Sequence, residues 1–183
     1  MNLVRGALMA HPGQFAIKRS AFLFLKRITL DDVPEDSLTR VAYEFWRGLA
    51  PEPALPARTD FRPEMVPRDV LPWVFLMDVI RAPNGALDYR YRLNGTRNVA
   101  LVGRDPSQRL ASEVFDNGDR RFMLESFNKT VDEKTATFWV GDIPHDRINQ
   151  INIWRGLFPL ANDRENVDQL LGIAVPRSND MDA

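Results

Sequence analysis

Two strand-forming runs on either side of a turn make up residues 71–95, which read LPWVFLMDVIRAPNGALDYRYRLNG. The first run, 73–81, is rich in Val, Ile, Phe and Trp, and the second, 87–94, alternates between apolar and polar residues. Asn84 and Gly85 between them suit a two-residue primed turn, in which both central residues need positive φ. This stretch predicts a β-hairpin.

The predicted turn sets which residues of the hairpin face each other. A two-residue loop pairs Asp78 with Tyr91 and Leu76 with Leu93. Asp78 is then expected to point into the protein, where the Tyr91 hydroxyl is a local hydrogen-bond donor for it. This position favours a structural role for Asp78, with a role as a ligand anchor as the alternative.

Helices and then strands follow the hairpin. The predicted helices are 96–102, 108–115 and 119–132, and the predicted strands are 136–142, 149–160 and 167–175. The last helix repeats Leu124, Phe127 and Val131 at the spacing of one helical face, so it should pack on a sheet. The order of elements predicts an α+β fold, with a five-stranded antiparallel sheet and helices collected on one face.

Upstream of the hairpin, residues 35–49 carry an apolar stripe at the three-four spacing of a helix. The stripe consists of Leu38, Val41, Ala42, Phe45, Trp46 and Leu49. It predicts a flanking helix within residues 34–50. This helix is expected either on the outer face of the sheet beside Met77 and Val79 or against a second copy in a C2 dimer.

The domain is expected to span residues 34–176, followed by a polar tail, 177–183. Residues 1–33 carry five basic residues before the first acidic one, Asp31. This segment is expected to be a basic, poorly ordered extension, with a membrane-surface or partner-binding arm as the alternative. With only the tail after the last strand, any signal is expected to pass to another protein.

Composition excludes several classes of function. Lys plus Arg, 24, nearly equals Asp plus Glu, 25, so no net field attracts nucleic acid. The chain has no cysteine, which rules out disulfides, thiolate metal sites and a flavin–cysteine adduct. The sequence contains no run of 18 apolar residues, so no membrane-spanning helix is predicted. A cytoplasmic location fits these features.

The sequence offers little chemistry for catalysis. Asp142, His145 and Asp146 lie close together around a predicted loop and could bind a metal or act as acid and base, although a solvated turn explains them as well. No histidine falls within 96–132, where a haem ligand would be expected, so haem is disfavoured. We therefore expect no catalytic residues, no metal and no enzyme activity.

Local motifs resemble one protein family along most of the chain. They are YEFW (43–46), LPARTDFRP (55–63), LPWVFLMDV (71–79), YRYRLNGT (89–96), GRD (103–105), LFPL (157–160) and LLG (170–172). In this order they resemble the PAS_5 family. The resemblance implies a PAS sheet of five strands, a small cavity between sheet and helices, and a role as sensor or adaptor in bacterial signalling.

Two functions compete on this basis. A ligand sensor would hold a small organic molecule between the inner sheet face and helix 119–132, with candidate lining residues Phe75, Leu76, Asp78, Tyr91, Phe122, Phe127, Trp139, Ile153 and Arg155. Arg155 could hold a carboxylate there, or could be an edge-exposed arginine or the partner of a surface acid. A ligand-free adaptor would instead act through the stripe of helix 35–49. The partner in either case could be a histidine kinase, a cyclic-dinucleotide enzyme or a transcription regulator.

Overall fold

A six-stranded antiparallel sheet forms the centre of the protein. The computed structural model describes residues 24–115, 117–145 and 149–177. The strands are β1 (Phe24–Ile28), β2 (Val74–Arg81), β3 (Leu87–Asn94), β4 (Thr137–His145), β5 (Asn149–Leu160) and β6 (Gln169–Pro176), in the order β1-β4-β5-β6-β2-β3. The helices are α1 (Leu38–Arg47), α2 (Thr96–Val102), α3 (Ala111–Val114) and α4 (Asn117–Glu133). The α+β architecture expected from the sequence is confirmed.

The sheet has one strand more than the five expected. The additional strand, β1, comes from the segment that was expected to lie outside the fold. It pairs with β4 from Phe24 opposite Asp142 to Ile28 opposite Phe138, and so occupies what would otherwise be an open sheet edge. The unpaired N–H and C=O groups at a sheet edge favour pairing with a further strand, and Phe24–Ile28 provides that strand.

The hairpin of β2 and β3 forms, but its turn differs from the prediction. The amide of Gly85 donates to the carbonyl of Ala82, and among the two predicted turn residues only Gly85 has positive φ, at 81°. The loop is therefore a type I turn at Pro83 and Asn84 followed by a left-handed glycine. Proline at the second turn position favours this geometry, because its fixed negative φ matches a type I turn.

The longer loop shifts the register of the hairpin by one residue. Tyr91 pairs with Met77, and Asp78 pairs with Arg90, so the predicted pairing of Asp78 with Tyr91 is wrong. A bulge between Leu76 and Met77 restores the predicted pairing of Leu76 with Leu93. Asp78 and Tyr91 consequently lie on opposite faces of the sheet, because neighbouring residues of a strand point to opposite sides.

Helix α1 lies on the outer face of the sheet, over β5 and β6. Its N-terminus is capped by Ser37, whose side chain accepts from the amide of Arg40. The Trp46 ring stacks on Phe158 with centroids 5.8 Å apart, and its indole nitrogen donates to the carbonyl of Pro159 at 2.9 Å. The helix thus covers its own sheet, away from the position beside Met77 and Val79 that the sequence suggested.

Candidate functional site

Helix α4 covers the inner face of the sheet. Its buried side chains are Asp119, Met123, Ser126, Phe127, Thr130 and Val131, which recur every three or four residues. Phe122 is 51% exposed, because it lies one position off this stripe and therefore points about 100° away from it. Its predicted place in a ligand pocket is wrong, and Met123 occupies the inward position instead.

Arg155 lies at the centre of the inner face. It belongs to β5, which is flanked on both sides, and it pairs with Trp139 of β4 and Ala174 of β6. Only 2% of the residue is exposed, and it is the largest of the fully buried side chains. An edge position or a surface ion pair is thereby excluded for Arg155.

The guanidinium of Arg155 has few polar contacts. Its Nη1 donates to Oγ of Ser126 at 3.1 Å and approaches Sδ of Met123 at 3.3 Å, both on α4. Its Nη2 is buried and has no hydrogen-bond partner among the described residues. The remaining contacts are aromatic: the guanidinium carbon lies 4.7 Å from the ring centre of Phe127 and 5.8 Å from that of Phe75.

Gly172 of β6 makes room for one of these rings. A Cβ atom on Gly172 would lie 2.1 Å from Cζ of Phe75, so the Phe75 ring crosses the sheet directly over this glycine. Phe75 also packs beside Tyr91, with ring centroids 6.1 Å apart. A residue with a side chain at position 172 would displace the ring from the guanidinium.

Burial controls the ionisation of the site. Desolvation lowers the pKa of Arg155 to about 10, and burial raises the pKa of Tyr91 to about 12. Arg155 therefore carries its full positive charge at neutral pH while Tyr91 is uncharged. Among the described residues no carboxylate pairs with this guanidinium.

A chain of hydroxyl groups runs from this site along α4 to the sheet. The indole nitrogen of Trp139 donates to Oγ1 of Thr137, which lies 2.6 Å from Oγ1 of Thr130. Thr130 in turn donates to the carbonyl of Ser126. Each polar side-chain atom of this hydroxyl network has a partner, and the network holds α4 against β4. The donor of the site that stays unsatisfied is Nη2 of Arg155.

The structure separates the predicted lining residues into two groups. Phe75, Tyr91, Phe127, Trp139, Ile153 and Arg155 are buried on the inner face or on α4. Leu76 and Asp78 belong to the outer face. Asp78 accepts from Nε2 of Gln169 at 2.7 Å and lies 3.6 Å from Arg92, so the inward orientation predicted for it is wrong.

Three buried hydroxyl residues of the site were not named from the sequence: Ser126, Thr130 and Thr137. The available signal was weak. Ser126 and Thr130 are four residues apart on the same face of α4 as Phe127 and Val131. Small polar residues in an apolar stripe indicate either a buried hydrogen-bond network or a close helix–sheet contact, and the sequence does not distinguish them.

A groove lies over β1, β4 and β5. It is an open groove of about 880 Å³, lined among others by Tyr43, Phe138 and Trp154 on the outer side and by Lys26 and Arg177 at its rim. None of the side chains that contact Arg155 lines this groove. Thr137, the last hydroxyl of the chain described above, is the residue that the groove shares with the interior site.

Some residues of the apolar stripe of α1 are buried and the others are partly exposed. Ala42 and Trp46 are buried against the chain's own sheet. Leu38, Val41, Phe45 and Leu49 are half-buried and pack at the margin of the core.

No group of three histidine, aspartate or glutamate residues in the described ranges 24–115, 117–145 and 149–177 is arranged to hold a metal. Of the predicted cluster, Asp142 lies on β4 opposite Asn152, His145 is the last residue of that strand, and Asp146 is outside the described residues. Within the same ranges, no helix has the length and apolar character needed to cross a bilayer.

An antiparallel sheet of this topology with helices packed on it is the architecture of a PAS domain. Residues 35–175 match the family PAS_5, described as a PAS domain, and the chain belongs to this family. A solved structure, the crystal structure of Rhodobacter sphaeroides LOV protein, is similar at 13% identity and a TM-score of 0.42, over 77% of this chain and 70% of that one. No curated protein matches the chain.

Proposed function

We propose that this PAS domain is a sensor that binds a small organic ligand between α4 and the inner face of the sheet. The observation that supports this is Arg155, a fully buried cation with one donor nitrogen unsatisfied. Burying a charge without a counter-charge is costly, and a buried polar group without a partner adds to that cost. A bound ligand that accepts from Arg155 removes both penalties.

The domain acts by binding and has no catalytic residues of its own in this proposal. The side chains that touch the guanidinium are a serine hydroxyl, a thioether and two aromatic rings. None of these is a base at neutral pH. Such a site can hold and orient a ligand, whereas proton transfer needs a titratable partner close by.

Occupancy of the site would be read out through α4. The helix contributes Met123, Ser126 and Phe127 to the site, and its last residue, Glu133, forms a two-pronged salt bridge with Arg27 of β1. A ligand that shifts α4 would therefore also move β1 through this salt bridge. The ligand would do so by favouring one of two positions of α4 and β1. The partner that reads this change would be a signalling protein of the bacterial cytoplasm, such as a kinase, a cyclic-dinucleotide enzyme or a transcription regulator.

Native mass spectrometry of the purified protein tests the sensor function. The mass of the folded protein is compared with that of the same sample after denaturation, and small molecules released by denaturation are collected. The proposal predicts an organic molecule at near-stoichiometric amount. A folded protein whose mass equals that of the bare chain, from several expression hosts and growth media, would contradict it.

A ligand-free adaptor that dimerises through α1 is the second candidate. It is supported by a half-buried apolar row beside the contact of α1 with the sheet: Leu38, Val41 and Phe45 of α1, and Leu49 just after the helix. The substitution Val41→Arg would then convert a dimer to a monomer in light scattering. Thr39→Val, on the buried side of the same helix, is the matched control and would leave a dimer intact.

A further inference from the structure

We infer that the ligand of the interior site is a small organic monocarboxylate whose carboxylate binds Nη2 of Arg155. This inference rests on the proposed sensor function and adds the chemical class of the ligand. It follows from the number of charges in the site, the geometry of the unsatisfied donor, and the character of the surrounding side chains.

The site contains a donor that only an acceptor from outside the described protein can satisfy. A guanidinium has five N–H groups and no acceptor. In the site, Ser126 supplies one oxygen to Nη1, and Met123 supplies a thioether, which is a weak acceptor. Nη2 is as fully buried as Nη1 but bonds to nothing among the described residues. An acceptor with a negative charge gives the strongest bond to such a group.

A single negative charge matches the site. Arg155 is the one buried cation among the fully enclosed side chains of the described residues, and Tyr91 beside it is uncharged at neutral pH. A monoanion bound at Nη2 therefore compensates the charge of this guanidinium. A phosphate monoester carries close to two charges at neutral pH, so it would leave an uncompensated negative charge in a medium of low dielectric constant.

The flat guanidinium also favours a carboxylate over a rounded anion. The fork of a guanidinium matches the two oxygens of a carboxylate. The guanidinium carbon already lies over the rings of Phe127 and Phe75, 4.7 and 5.8 Å from their centres. The donor that has no partner is Nη2, whose N–H groups lie in the plane of the guanidinium. Planar binding in that plane is the arrangement that a carboxylate provides.

The rest of the ligand should be apolar. Apart from Ser126, whose hydroxyl already bonds to Arg155 and to the carbonyl of Met123, most neighbours of Arg155 are buried aromatic or aliphatic side chains, among them Ile153, Leu157, Phe75 and Phe127. A polar body would lose its hydration there without finding partners. Small aliphatic or aromatic acids therefore fit, and sugar acids or amino acids do not.

Met123 provides the means to admit such a ligand. Its side chain is unbranched and flexible, and its sulfur holds a place beside Nη1 that a carboxylate oxygen would fill with a stronger bond. When Met123 changes rotamer, the thioether leaves and space opens next to the guanidinium. Because Met123 belongs to α4, this exchange couples binding to the helix that carries the signal in the proposed function.

Thermal unfolding with matched acids and amides tests the inference. The dialysed protein is heated alone and with benzoate, hexanoate, benzamide, hexanamide or phenyl phosphate, each over a range of concentrations. We expect a concentration-dependent rise in Tm with at least one acid and none with the amide of the same shape or with phenyl phosphate. The test variant is Arg155→Met, which removes the guanidinium and keeps roughly the same side-chain volume. The control is Arg90→Met, at an exposed position of β3.

Arg155→Met should fold and lose the response to the acid, with an affinity at least about ten-fold weaker, because a buried charge pair contributes more than this to binding. Arg90→Met should respond like the wild type. If Arg155→Met fails to fold, Arg155→Lys is used, which keeps the charge, lacks the planar fork and should also weaken binding.

The outcomes separate this inference from the function on which it rests. An equal response to acid and amide, a stronger response to phenyl phosphate, or an acid response that survives in Arg155→Met overturns the carboxylate inference. In those cases a molecule released in native mass spectrometry would still support a sensor. If nothing raises Tm and nothing is released, both fail together.

Discussion

Nη1 of Arg155 lies 3.1 Å from Oγ of Ser126, and this hydrogen bond joins the central strand β5 to helix α4 across the interior. Ser126 is the one described residue that offers a side-chain oxygen to this buried cation. The pair therefore links the stability of the domain to the state of the proposed ligand site.

Removal of the Ser126 hydroxyl should destabilise the protein through Arg155. Ser126→Ala leaves the guanidinium with the thioether of Met123 as its polar contact, and we expect a loss of about 1–3 kcal/mol in the free energy of unfolding. In the Arg155→Met background the same substitution should cost much less, because no charge is left unsatisfied. Urea denaturation of the four proteins measures this coupling, and equal costs in both backgrounds would show that the bond does not matter.

Gly172→Ala should disturb the site through Phe75. The new methyl group would lie 2.1 Å from Cζ of Phe75, so the ring must leave its place beside the guanidinium. We expect a loss of about 1–3 kcal/mol in urea denaturation and a weaker response to any ligand that binds at Arg155.

Gly48→Ala is the control for this substitution, because its Cβ would meet backbone oxygen at an ordinary 3.4 Å. The double variant Gly172→Ala with Phe75→Leu should recover part of the lost stability. If Gly172→Ala proves as stable as the wild type, the placement of the Phe75 ring over Gly172 is incorrect.

Asp78→Asn should leave ligand binding unchanged. The carboxylate lies on the outer face, where it accepts from Gln169 and sits 3.6 Å from the half-exposed Arg92. The pair with Arg92 is partly solvated, so its loss should cost less than about 1 kcal/mol. Native mass spectrometry should show the same number and mass of released ligands as for the wild type. If the variant carries no ligand, Asp78 does contribute to the site.

The salt bridge between Arg27 and Glu133 predicts a specific dependence of stability on pH. The bond to Arg27 holds the pKa of the Glu133 carboxyl below its ordinary value. Its stabilisation is therefore complete above the pKa of an unfolded glutamate and is lost as the pH falls through the lower pKa of the folded state. Both side chains are more than a third exposed, so the gain should stay below about 1 kcal/mol.

Glu133→Gln measures this contribution. Wild type should be the more stable protein at pH 6, and the difference should shrink as the pH falls through the lowered pKa of the folded carboxyl and disappear below it. Glu125→Gln, which removes the same charge from an exposed position two turns earlier on α4, is the matched control. A constant difference over this pH range would mean that the salt bridge does not form in solution.

The sequence predicted the elements of the fold well, because they depend on local patterns. The alternation of residues 87–94 and the apolar stripe of residues 35–49 each marked an element that the structure contains. The hairpin register was harder. Pro83 selects a type I turn and a three-residue loop, and this single change moved Asp78 from the inner to the outer face.

Long-range features of the site could not be read from the sequence. Arg155 was identified as a candidate, but its burial depends on β5 lying between β4 and β6, which is a property of strand order. Phe122 and Met123 are adjacent, and only the rotation of α4 against the sheet decides that Met123 points inward. Strand β1 was missed because a short apolar run carries no signal of its partner.

A crystal structure of the protein as purified tests the central claim most directly. The electron density next to Nη2 of Arg155 shows whether a molecule from outside the chain occupies the interior. We expect density for a small anion within hydrogen-bond distance of Nη2, with Sδ of Met123 displaced from Nη1. A guanidinium that remains packed against Met123 and both rings, with no density beside Nη2, would contradict it.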